Sequence, residues 1–254
     1  MTNMSTYDSG EQEAEICSIQ EGGPQATVDL EHDDKIIKWT MLLLNLLNYV
    51  IIFCIWLFVT VLCFSNEIML FSFHPFCMTT GFLLFVSLGI LAHNKNNILT
   101  RNKPYKSRYE FHWKMQLGAI IFLTIGFTII LVNKNLYGKP HFTSYHGIFG
   151  LITYILLVLT FLLSYFTLKV KFLFKSLPKN YIMLAHVTLG IVAYAQGFAD
   201  FLLGIFSGWF EKTGGTAAQV CCVLLTILLT VNILWPPISR RLIKPIKAIT
   251  YSHF

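Results

Sequence analysis

The stretch HGIFGLITYILLVLTFLLSYFTL, residues 146–168, decides the fold. From Gly147 to Leu168 it carries no charged side chain. A helix of about 20 apolar residues crosses a hydrocarbon core, so this run reads as a membrane span. Outward from it, five more apolar runs occupy roughly 38–64, 74–93, 112–132, 181–206 and 217–237, with short polar loops between them. In lipid the backbone must satisfy its own hydrogen bonds, so each run is expected to be a helix. The composition agrees, with 55% hydrophobic and 13% charged residues, where a soluble domain carries about a quarter charged. The expected fold class is an all-α membrane protein of six transmembrane helices, the central four forming a bundle.

Residues 1–34 contrast with the rest. They hold nine acidic side chains (Asp8, Glu11, Glu13, Glu15, Glu21, Asp29, Glu31, Asp33, Asp34) and no Lys or Arg. Such a segment reads as a disordered tail, and it lacks the basic start and apolar core of a signal peptide. The expected division is an acidic tail over 1–35, a six-helix domain over 36–238 and a basic tail over 239–254. Beyond residue 34, 19 basic residues face four acidic ones, Glu67, Glu110, Asp200 and Glu211. The excess lies beside the membrane runs, so topology explains it and nucleic-acid binding is not expected. One side collects sixteen Lys and Arg, including Lys95, Arg101, Lys103, Lys106, Arg108, Lys171, Lys175, Arg240 and Arg241; the other holds Lys134, Lys139 and Lys212. Basic loops stay in the cytoplasm, so both termini are expected there, with an endoplasmic-reticulum or vesicle membrane as the host. The sequon Asn3-Met4-Ser5 would then face the wrong side for glycosylation. The six cysteines form no CxxC pair, and Cys54, Cys63, Cys77, Cys221 and Cys222, in or beside the apolar runs, read as small buried hydrophobes. No P-loop or GxGxxG nucleotide site is present.

Six of the eight histidines fall at the ends of apolar runs: His74, His93, His112, His141, His146 and His186. Helices 2 and 4 run in one direction, which gives His74 and His146 one depth. Helices 3 and 5 run in the other, which gives His112 and His186 the opposite depth. A bundle builds cofactor sites from facing helices at one level, and haem iron accepts two axial imidazoles. Two depth-matched pairs therefore suggest two haems, one near each face. A single interfacial histidine, by contrast, usually just caps a helix end in contact with water. Gly81, Gly118, Gly147, Gly150 and Gly190 would leave room for a flat macrocycle, and Gln116, one turn after His112, could orient it. No helix carries two histidines about four turns apart, which argues against the flavin-linked oxidase arrangement.

The motifs LFSFHPFCM (70–78), FHWKMQL (111–117), GKPHFTSYHG (138–147) and AHVTLGIVAY (185–194) resemble those of the cytochrome b561 family, the six-helix ascorbate-dependent transmembrane reductases. Within it they are most similar to the "cytochrome b561 domain-containing protein 2" type. The resemblance implies the same pairing, His74 with His146 and His112 with His186, as axial ligands of two haem b irons. It also implies cytoplasmic ascorbate as donor, and monodehydroascorbate radical or ferric iron as acceptor on the far side. That subgroup has an Arg four residues before the helix-3 histidine, and Arg108 matches it as a donor-binding residue. The aromatic- and Arg-rich ascorbate motif of granule-type members is replaced here by SLGILAHNKNN (87–97). His141 and Lys139 are expected to serve the acceptor, since Pro140 disfavours helix just before it and an imidazole either ligates metal or attracts anions. Two other readings remain: a haem-free six-helix transporter or channel, for which Asp200 is the one acidic residue inside a run, and a haem-binding membrane subunit without turnover. Oligomeric state stays open between a single chain and a homodimer.

Overall fold

The computed structural model describes residues 24–65, 67–94, 97–169 and 179–239, with side chains over 35–65, 67–94, 97–165 and 181–239. The acidic tail to residue 23, the sequon, the side chains of His32 and His253, Lys95, the 170–178 loop and the basic tail from 240 lie outside these residues. The described residues are all helix, turn and loop. Six helices are long and apolar enough to cross a membrane.

They are α1 (Pro24–Phe64), α2 (Leu70–Leu91), α3 (Tyr105–Leu136), α4 (Tyr145–Lys169), α5 (Lys179–Ile205) and α6 (Gly208–Ile238). By packing, the chain divides into residues 1–45 and 46–254. The described part of the first unit is the N-terminal part of α1, and helix there begins at Pro24, inside the stretch expected as tail. The second unit holds the rest of α1 and the other five helices.

Several helices start earlier than the apolar runs. α3 begins at Tyr105, after Pro104 in extended conformation, so His112 lies two turns inside it rather than at its mouth. Arg108, expected beside a loop, is likewise helical. Apolarity marks only the lipid-buried part of a helix, and the polar turns outside it leave no such trace. α3 ends where Gly138 takes φ 61°, the left-handed conformation that closes many helices. α6 opens with the Ser207 side chain accepting from the Phe210 N–H at 3.3 Å. Its ladder breaks at Gly215 (φ 78°, ψ 163°), and the expected apolar run from 217 starts just past that break.

α2 is the most enclosed span: 56% of its most apolar stretch is buried, against 11% for α4. It is also the least regular, passing from a 3₁₀ turn (Leu70–Ser72) to α-helix (Phe73–Thr79), π-helix (Thr80–Val86) and α-helix again (Ser87–Leu91). The Trp56 indole N–H of α1 donates to Thr80 Oγ1 at 2.9 Å, where the π segment begins. α2 packs along α3, and α4 along α5. Across the middle, Phe82 of α2 stacks on Tyr194 of α5 at 5.4 Å, and the hydroxyls of Ser87 and Tyr194 pair at 2.9 Å. Ser87 and Tyr194 are fully buried and Phe82 is 5% exposed, which makes this mid-bundle layer dry. Outward, Phe53, Leu57, Ile121, Ile125, Ile155, Leu159, Val192 and Leu224 are exposed, the apolar surface that lipid covers.

Among the described cysteines, Cys63, Cys77 and Cys222 are buried and free, as expected, while Cys54 and Cys221 are free but exposed.

Candidate functional site

The bundle brings four of the histidines together in two pairs. The imidazole centres of His74 (α2) and His146 (α4) are 6.4 Å apart with planes at 67°. Those of His112 (α3) and His186 (α5) are also 6.4 Å apart, at 88°. Neither member of a pair is adjacent in sequence to the other, so helix packing alone creates both.

The ring nitrogens are oriented from behind. His74 Nδ1–H donates to the Gly126 carbonyl of α3 at 2.9 Å. His112 Nδ1–H donates to the Gly89 carbonyl of α2 at 2.8 Å. The two antiparallel helices thus brace each other, each lending a glycine carbonyl to the other's histidine. Glycine is needed there because the helices touch: a Cβ on Gly126 would meet Cys77 Cβ and Met78 Sδ at 3.0 Å, and one on Gly89 would meet Gln116 Nε2 at 2.5 Å. Fixing the proton on Nδ1 leaves the Nε2 lone pair for a metal. Gln116 does not orient His112 directly; its amide donates to the Val86 carbonyl at 3.4 Å. His186 Nδ1 is buried, with the Thr160 carbonyl near it but no closed hydrogen bond.

The braces also explain the π segment. His74 and Gly89 are fifteen residues apart on α2, whereas His112 and Gly126 are fourteen apart on α3. Antiparallel helices clamped at both levels must cover equal lengths. The π-helix between the clamps takes up the extra residue, as such insertions commonly do near functional sites.

An imidazole nitrogen binds a transition metal at about 2.0–2.1 Å. With a ring nitrogen about 1.2 Å from its centre, iron held axially by two imidazoles separates their centres by about 6.4 Å. Both pairs have that separation. Among the described residues no three His, Cys, Asp or Glu gather to hold a bare metal ion. Two ligands suffice only where a macrocycle supplies the rest, so the residues present fit haem iron. The glycines fit unevenly. Gly190 has open space, with Thr160 Cγ2 at 3.8 Å, and Gly118 faces Phe85 at 3.5 Å; Gly81 is filled by Leu123 at 2.8 Å, Gly147 by Ser144 Oγ at 3.3 Å and Gly150 by Asp200 Oδ2 at 3.2 Å.

A match to the family model "Eukaryotic cytochrome b561" covers residues 73–211, which hold all four paired histidines. The chain belongs to the eukaryotic cytochrome b561 family. It is thus a transmembrane haem b protein of electron transport. It is similar to "Transmembrane reductase CYB561D2" of Mus musculus, 33% identical over 166 residues, covering 64% of this chain and 74% of that protein. The Homo sapiens protein of that name is 31% identical over the same share. "Probable transmembrane reductase CYB561D1" of Homo sapiens is 27% identical over 158 residues, 62% of this chain and 69% of that one.

Two features of this cytochrome b561 site are not legible from helix-end counting. His93, just beyond α2 and exposed, lies 4.6 Å from the His112 ring, centre to centre, and 6.4 Å from Tyr105. Asp200 of α5, 6% exposed, sits against His146. Its place fourteen residues after His186 signals its depth, but not that α5 turns it toward α4. Arg108 and His112, four residues apart, share one face of α3, and the buried Arg108 Nε has no hydrogen-bond partner among the described residues. His141 Nε2–H donates to Asn135 Oδ1 at 2.8 Å, and Lys134 Nζ donates to the Pro140 carbonyl at 3.0 Å. Lys139 Nζ lies 5.8 Å over the Tyr137 ring.

Proposed function

We propose that the chain carries electrons across the membrane through two haem b groups, one held by His74 and His146 and the other by His112 and His186. The observation that carries this is the pair of 6.4 Å imidazole separations at opposite ends of one bundle. Bound haem supplies a one-electron iron couple whose potential its axial ligands help set. The dry layer of Phe82, Tyr194 and Ser87 keeps water from the middle of the bundle.

The donor is ascorbate on the cytoplasmic side, at the His112–His186 end, where the basic loops and Arg108 attract a mono-anion. Ascorbate gives up one electron and one proton there and leaves as monodehydroascorbate. The acceptor, monodehydroascorbate radical or a ferric chelate, takes one electron at the His74–His146 end. This orientation, with both termini cytoplasmic, follows the basic-loop asymmetry. The relatives named as transmembrane reductases support a reductase reaction.

Lys139, exposed, and Lys134, whose ammonium lies on the Pro140 carbonyl of the same loop, attract an anionic acceptor. His141 is less free: Nε2 is tied to Asn135 and Nδ1 is buried. Ligating iron there needs the loop to open, whereas attraction by the lysines needs no movement.

The test uses the full chain, loaded with haem, in sealed vesicles with its termini inward. Ascorbate inside should reduce ferricyanide outside, and the bis-histidine spectrum should turn over. Ferricyanide reduction no faster than in vesicles lacking the chain would overturn the reading.

A further inference from the structure

The structure assigns Asp200 as a positioning residue that strengthens His146 as an iron ligand, and so sets the potential of that one centre. This rests on the bis-histidine reading above. Three of the four ligand histidines are backed by neutral groups: His74 and His112 by glycine carbonyls, His186 by the vicinity of a threonine carbonyl. Among the described residues, only His146 has a carboxylate against it. Its Nδ1–H donates to the Asp200 carbonyl at 3.2 Å, and the same nitrogen lies 2.8 Å from Asp200 Oδ1. Oδ1 is buried and accepts no aligned hydrogen bond among the described residues, so the imidazole meets it as a close charge contact. A buried carboxylate is costly unless a donor faces it, and the imidazole N–H is the donor in reach.

Both helices are shaped for this contact. On α5, Asp200 and Gly204 lie one turn apart on one face; on α4, His146 and Gly150 do the same. A Cβ on Gly204 would stand 3.3 Å from His146 Cε1, and one on Gly150 would stand 3.2 Å from Asp200 Oδ2. Each helix thus offers a glycine where the other's functional side chain must lie. A carboxylate behind a ligating imidazole raises its basicity. A more strongly donating ligand favours the ferric state and lowers the potential of the iron it holds. The chain therefore makes its acceptor-end centre the stronger reductant.

The experiment is a redox titration of the haem-loaded chain carrying Asp200→Asn, which keeps the shape and removes the charge. Assignment of the two centres comes from His146→Ala and His112→Ala. The centre that His146 serves should gain roughly tenfold in its reduced-to-oxidised ratio at fixed ambient potential, a rise of about 59 mV for one electron, and the other centre should stay put. Haem content should be unchanged. A change under twofold at the His146 centre, or equal shifts at both, overturns the inference. Should Asp200→Asn lose that haem alone, Asp200→Glu, which keeps the charge, must retain it; loss in both variants means the position serves shape only. Absence of any redox-active haem in the unmodified chain overturns instead the functional reading on which this rests.

Discussion

A histidine at a helix end is ambiguous alone; four of them become informative through depth. Counting along the apolar runs places His74 level with His146 and His112 level with His186, and the rings meet in those combinations. What counting misses is what stands behind each ring. Gly126, Gly89 and Asp200 act through a carbonyl or a carboxylate turned across a helix interface, and no spacing rule reports that. On this reading, His112→Ala or His186→Ala should remove one of two haems and leave the other, and His74→Ala or His146→Ala should do the reverse. Haem-to-protein ratio and the difference spectrum check this; full haem in any of the four variants would break the pairing. Arg108→Ala should leave both haems and raise the ascorbate concentration needed for half-reduction several-fold at low salt, where a surface charge is least screened. A dependence identical to the unmodified chain would remove Arg108 from the donor site.

Helices were legible as existing and less so in extent. The 38–64 and 147–168 runs lie within α1 and α4, because a helix surrounded by lipid is apolar throughout. The beginning of α3 was hidden in YKSRYEF (105–111), which reads as a charged loop yet is helical. The π segment of α2 was equally hidden, since its residues TGFLLFV are ordinary membrane-helix residues. Contact between elements is stricter than the elements themselves. Gly197 of α5 is the notch that receives Phe82: a Cβ there would stand 2.3 Å from Phe82 Cε2 and 3.0 Å from Thr153 Cγ2. Gly197→Ala should therefore overpack the mid-bundle layer and cost about 1–3 kcal/mol. The expected readout is a lower temperature for haem loss in detergent, with the starting spectrum intact. Unchanged thermal stability would mean that this layer is softer than its packing implies.

At the scale of the whole molecule, the fold class followed from one physical fact, that a charge-free helical run has no place in water. Exposed Phe53, Ile121, Leu159 and Leu224 bear this out in space. Direction across the bilayer is a separate matter, carried by Lys and Arg outside the spans. If the basic side is cytoplasmic, tags at the two termini share one compartment, and the 137–144 loop faces the other. In sealed vesicles, protease added outside should remove both tags or neither, and an impermeant thiol reagent should reach a cysteine placed at Lys139 from the opposite side. Tags split between compartments would contradict an even number of spans and with it this topology.

The seven-residue π segment between the two histidine braces has a consequence for heredity. A helix that meets fixed partners at both ends ordinarily tolerates no loss or gain of a codon, since one residue turns everything beyond it by about 100° and moves it about 1.5 Å. α2 carries one residue more than α3 between the same two levels, and the surplus is stored as a widened turn at Thr80–Val86. That turn is a slack link. An in-frame deletion of one codon there should restore ordinary α-helix and keep both braces in register, with haem content retained. The same deletion in α3 between Ala119 and Ile125 has no slack to draw on and should abolish it. Drift in the length of this chain is thus expected to collect in one short stretch of α2, and its neighbours to hold their count.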